Sequence, residues 1–154
     1  MYQHIMVPLD GSELAECVLP HVETLAQGRN VKKVTLVRVI EPLHMYGGVE
    51  SRFSPEDRQH LEEDATKVAK DYLDQIVKRL ADSGIKAWSE ILYGHVAEKL
   101  IDYATENGVD IIVIATHGRS GISRWVWGSV TDRLLRAACV PVLMVRAPGY
   151  VGGV

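Results

Sequence analysis

The 154-residue chain is short of what several familiar kinds of protein are built on. Its two cysteines, Cys17 and Cys139, sit in unrelated segments without Cys-x-x-Cys spacing, which leaves no basis for a disulfide framework or a redox dithiol. Both are expected to be reduced core residues. No apolar run approaches the roughly 20 residues that cross a bilayer, and no secretory signal is read, so a cytoplasmic location without membrane insertion is expected. The formal net charge of −3 supplies no basic field, which argues against nucleic acid as a partner. His4, His21, His44, His60 and His95 show no metal-ligand spacing. Neither common phosphate loop is present: there is no Gly-x-x-x-x-Gly-Lys-Ser/Thr and no Gly-x-Gly-x-x-Gly directly after a strand. No Ser-His-Asp, Cys-His or paired-carboxylate arrangement stands out, nor a P-loop lysine or water-positioning glutamine, so efficient phosphoryl transfer is not expected.

What is there suits one ordinary domain. Apolar residues make up 47% of the chain, enough for a sizeable core without disulfides or metals. The most informative stretch is Asp110 to Val130. Ile111 to Ala115 is a continuous apolar run of the kind buried on both faces of a parallel sheet. A loop with Gly118, Gly121 and two arginines follows, and a helical pattern opens at Gly128-Ser129. Small residues let a ligand approach the backbone, and free N–H groups at a helix start bind anionic oxygens, so a phosphate-bearing ligand is expected there.

Taken in order, His4 to Leu9 reads as the first strand, and Ser12 as the cap of a helix towards Ala26 that Pro20 should kink and Gly28 should stop. Val34 to Ile40 reads as the second strand, and Leu43 to Phe53 as a long loop. Ser54 and Pro55 open the longest helix, whose apolar face runs from Leu61 to Leu80, with Glu63–Lys67 and Asp74–Lys78 pairs opposite. Lys86 to Leu92 alternates like an edge strand; His95 to Asn107 and Ser129 to about Ala138 read as helices, and Pro141 to Val145 as the fifth strand. Strands alternating with helices imply a three-layer α/β/α sandwich over residues 1–147, with 148–154 as a short tail.

Several segments together resemble the universal stress protein family. They are Val7-Pro8-Leu9-Asp10-Gly11-Ser12, Val39-Ile40-Glu41, Gly94-x-x-Ala97, and Ala115-x-x-Gly118 followed after nine residues by Gly128-Ser129. Ala115 stands where the family's Gly-x-x-Gly, nine residues, Gly-Ser/Thr pattern has its first glycine. The resemblance covers nearly the whole chain and implies a Rossmann-like, adenine nucleotide alpha hydrolase-like fold. Its five-stranded parallel sheet would run in the order 3-2-1-4-5, with a ligand crevice at the switch point between strands one and four. It also implies ATP as ligand, or ADP or AMP, with Mg2+ held by phosphates and water. Asp10 would take the ribose, Val39 the adenine through its main chain, and Gly118, Gly128, Ser129, Val130 and Thr131 the phosphates. Pro8 and Leu9 would wall the pocket, with Ile114 and Ala115 beneath the phosphates.

His117 reads as a satisfied loop histidine rather than a base, and Arg119 and Arg124 as solvated as readily as phosphate clamps. Trp125-Val126-Trp127 reads as packing residues, with a partner-docking patch as the sharper idea. The fifth strand, apolar and terminal in the sheet, invites pairing, and the resemblance implies a homodimer there. The function expected is an ATP-binding stress-response sensor or regulator with at most slow hydrolysis and a regulatory protein partner. A dimeric interaction module without nucleotide is the second reading, and a flavodoxin-like redox protein the third.

Overall fold

Five short segments form the strands: β1 His4–Pro8, β2 Lys33–Ile40, β3 Ala87–Tyr93, β4 Ile111–Ala115 and β5 Val142–Val145. The computed structural model describes residues 2–29, 31–42, 53–116 and 129–147. Between the strands lie α1 Leu19–Arg29, entered through a 3-10 turn at Ala15–Val18, then α2 Pro55–Asp82, α3 Val96–Glu106 and α4 Ser129–Ala137. The strands pair in parallel in the order β3-β2-β1-β4-β5. This is the α/β architecture expected, and its logic is visible in the burial. β4 is buried at every position and β1 at all but Pro8, as central strands between two helical layers must be, whereas the edge strand β3 alternates.

Two cores result. On one face Ile5, Val7 and Leu36 meet Leu19 and Val22 of α1 and Leu73, Ile76 and Leu80 of α2. On the other, Met6, Val37 and Ile112 meet Leu100 and Tyr103 of α3 and Leu134 of α4. Each leucine fully removed from water contributes about 1.5–3 kcal/mol, so these layers fix the sheet from both sides.

Several expectations are corrected. Pro20 does not interrupt one continuous helix: a 3-10 turn ends at Val18, and Pro20 is the second residue of α1, in the first turn, where a helix has no hydrogen bond for it to lose. Gly28 lies inside α1 rather than ending it. The apolar face of α2 is buried only in its second half, with Leu61 43% and Val68 70% exposed. Length explains this: 28 residues of helix span about 42 Å, against about 23 Å for the seven residues of β3. Thr66 meets the Tyr93 hydroxyl at 2.9 Å and so marks where the helix passes the end of β3. The surface pairs also differ, since Asp74 takes Lys70 at 3.4 Å and Glu63 takes Gln59 at 2.9 Å. Cys17 packs against the core as expected, but Cys139 is exposed, because it falls beyond α4 in the turn before β5. The cap of α2 is as read: Ser54 accepts from the Asp57 amide at 3.1 Å, with Pro55 at the first helical position. Most of the loop read from Leu43, and the tail at 148–154, lie outside the described residues.

Candidate functional site

Strand order reverses between β1 and β4, the switch point at whose carboxyl ends a doubly wound sheet forms its crevice. A cavity of about 260 Å³ occupies it. Pro8, Leu9 and Asp10 line it from β1 and its exit, Val39 from β2, and Ile114 and Ala115 from β4. Ser129, Val130 and Thr131 bring the first turn of α4 to the same space. Nine of the eleven residues expected at the site therefore converge, while Gly118 and Gly128 lie outside the described residues. So do Gly121, His117, Arg119, Arg124 and the Trp125-Val126-Trp127 segment.

The turn after β1 is held by Asp10. Its Oδ1 accepts from the Ser12 amide at 2.9 Å and from the Ser12 hydroxyl at 2.5 Å. The Ser12 hydroxyl oxygen accepts in turn from the Ala15 amide at 3.2 Å, closing the turn that leads into the 3-10 segment. Gly11 takes φ +84 between them, a left-handed conformation that side chains resist. Ser12 was expected to cap the first helix; it instead holds the turn before the 3-10 segment, together with Asp10, which also lines the cavity.

Main-chain groups at the end of β2 also face the site. The last rung from β1 to β2 is the Leu9 amide donating to the Val37 carbonyl at 2.9 Å. Parallel ladders alternate sides, so the next groups pointing that way are those of Val39, at a height where β1 has ended. Val39 lines the cavity, so main-chain groups there can read a donor–acceptor edge. Ala115, where a glycine was the family expectation, closes β4 opposite Val145 in an extended conformation that alanine adopts freely.

The surrounding walls carry residues not anticipated. Val96 and Leu100 of α3 line the cavity, as does Arg38 of β2. The lone charge in Val34-Thr35-Leu36-Val37-Arg38-Val39-Ile40 was the signal for Arg38; nothing in the apolar stripe of α3 distinguished the other two. The Arg133 guanidinium meets Glu98 at 3.1 Å, tying α4 to α3 beside the site. Behind the Asp10 turn, the Tyr72 hydroxyl donates to Glu16 at 3.1 Å, and Arg79 approaches the same carboxylate at 3.8 Å. Burial first, then the Glu16 carboxylate, push the Tyr72 phenol far above its usual range, so it remains a donor. Among the described residues no group of three or more His, Cys, Asp or Glu is placed to hold a metal. The arrangement supplies an acceptor, a readable main chain, a helix start and apolar walls, which is binding chemistry.

A doubly wound α/β domain with a small-ligand crevice at its switch point is the class these observations define. The model of the universal stress protein family matches residues 1–146, and the chain belongs to that family. It is 31% identical to universal stress protein MJ0577 of Methanocaldococcus jannaschii, covering 95% of this chain and 96% of that one. The solved structure of MJ0577 aligns at a TM-score of 0.84 over 97% of this chain and 99% of that one, at 32% identity. A universal stress protein from Archaeoglobus fulgidus, solved in complex with dAMP, aligns at a TM-score of 0.64 and 25% identity over 93% and 97% of the two chains.

Proposed function

We propose that the crevice binds an adenine nucleotide, with ATP as the reference ligand and ADP or AMP as alternatives, and that the protein acts as a nucleotide-dependent sensor or regulator in a stress response. The observation that carries this reading is the convergence of Asp10, Val39 and the first turn of α4 on one cavity. In this assignment Asp10 accepts from ribose hydroxyls and Val39 reads the adenine edge. Ser129, Val130 and Thr131, with Gly118 and Gly128, hold phosphate at the helix start. Pro8, Leu9, Ile114 and Ala115 form the walls. The dAMP-bound relative supports adenine as the base. Mg2+ would enter with ATP, coordinated by phosphate oxygens and water. Hydrolysis, if any, is slow in this reading, since no described side chain is assigned to position water. A cytoplasmic location and a regulatory protein partner belong to the same proposal; among the described residues no helix is long and apolar enough to cross a membrane.

The test is to denature freshly purified protein and identify any released small molecule by chromatography and mass. Adenine nucleotide in stoichiometric amount is expected. Release of none, together with no thermal shift on adding Mg-ATP, removes the reading. β5 favours a second component: it ends the sheet, and Leu143 is 36% exposed. Pairing of two copies through Pro141 to Val145 is proposed, and Leu143→Lys should convert a dimer to a monomer in sedimentation. A dimer without nucleotide would favour the interaction-module reading; a wild-type chain that sediments as a monomer removes the pairing.

A further inference from the structure

The sheet stops pairing early along one seam only. β1 pairs with β2 as far as Pro8 opposite Val37, and β4 pairs with β5 as far as Ala115 opposite Val145. Between β1 and β4 the register ends at Met6 opposite Ile112, and the cavity opens beyond it, lined by Pro8, Leu9, Ile114 and Ala115. The register says which bond is missing. Because the Leu9 amide bonds Val37, the odd residues of β1 face β2, and residues 4, 6 and 8 face β4. With Ile5 opposite Ile111 and Met6 opposite Ile112, the next rung would run from the N–H of residue 8 to the carbonyl of Val113. Residue 8 is proline and has no N–H. Proline is otherwise kept to edge strands, strand starts and bulges, yet here it ends the central strand of the sheet.

We infer that Pro8 is a positioning residue: by withholding this one donor it stops the β1–β4 ladder two residues short and keeps the crevice open for its ligand. The inference rests on the nucleotide reading for the identity of that ligand, but not for the ladder itself. Pro8→Ala restores the donor without adding bulk. The new N–H is expected to bond the Val113 carbonyl and extend the ladder into the base of the cavity. A ligand would then have to compete with that closure, and binding of Mg-ATP should be roughly three- to tenfold weaker, the worth of one net hydrogen bond.

The experiment compares wild type and Pro8→Ala by amide hydrogen exchange without ligand and by calorimetric titration with Mg-ATP. Strong protection of the new amide at position 8, with weakened ATP binding, is the expected result. A proline that served packing alone would instead leave that amide exchanging freely, and free exchange overturns the inference. Wild-type affinity in the variant, despite a protected amide, overturns its link to the ligand. If wild type itself binds no nucleotide while the amide is protected, the nucleotide reading fails and the ladder stop stands.

Discussion

Asp10 is asked to do two jobs, and two substitutions separate them. One of its oxygens accepts from the Ser12 amide at 2.9 Å and from the Ser12 hydroxyl at 2.5 Å. Alanine removes both bonds, whereas asparagine keeps an acceptor oxygen in the same place. At about 0.5–1.5 kcal/mol for each bond, Asp10→Ala should lose about 1–3 kcal/mol of stability. For a domain of this length that lowers the melting temperature by roughly 3–10 °C. Asp10→Asn should melt within about 2 °C of wild type, because the turn bonds survive. The ribose contact behaves differently. Asparagine replaces the second carboxylate oxygen with an N–H donor, so a hydroxyl that donated to it loses its acceptor. A hydrogen bond to a charged group contributes about 1.5–3 kcal/mol, so both variants should bind ATP roughly 10- to 150-fold more weakly. Thermal unfolding and calorimetric titration of the three proteins provide the data. Equal destabilisation of the two variants would refute the turn assignment, and wild-type affinity in Asp10→Asn would refute the ribose assignment.

Two further predictions concern the fold that supports the site. His4 is buried at the opposite end of β1; its Nδ1 donates to the Asn107 carbonyl at 3.1 Å, leaving Nε2 to accept from the Thr35 hydroxyl at 2.8 Å. Burial lowers its pKa below 6.5, so the unfolded chain binds the proton more readily. Its contribution is therefore complete above about pH 6.5 and is lost as pH falls through the lower folded value. Melting temperature should fall from pH 7.5 to pH 5, and His4→Gln should flatten that slope; an unchanged slope would show that His4 is not its source. Gly94, whose amide donates to the Ile40 carbonyl at 3.0 Å, has φ +134 where β3 passes towards α3. Gly94→Ala should lose about 1–3 kcal/mol in denaturant unfolding from backbone strain. A loss below about 0.5 kcal/mol would show the turn relaxing around the new side chain.

Much of this was legible in the sequence for definite reasons. Ile111 to Ala115 reads as a doubly buried strand because it contains no polar interruption, and the structure places it so. Ala87–Tyr93 alternates, and it lies at an edge. The resemblance to the universal stress protein family implied eleven site residues, and nine of them line one cavity. What was not legible depends on tertiary lengths and on choices between equivalent donors. Periodicity marks a stripe from Leu61 to Leu80 but cannot show that α2 outruns the sheet, so Leu61 and Val68 were read as covered and are exposed. Pro20 signals a break unless the helix start is known to within a turn, and the 3-10 entry moved that start to Leu19. Asp10 and Ser12 can each cap a turn, and only coordinates reveal that they share it. Pro8 read as a pocket wall; its effect on the ladder needs the register between β1 and β4.

The central claim, an adenine nucleotide in the crevice between β1 and β4, is tested most directly by titrating nucleotide-free protein with Mg-ATP in a calorimeter, with Mg-GTP as the control. Saturable binding of one ATP per chain, with GTP much weaker because the Val39 main chain meets a different base edge, is the predicted result. No heat and no saturation with ATP, or equal binding of both nucleotides, would contradict it.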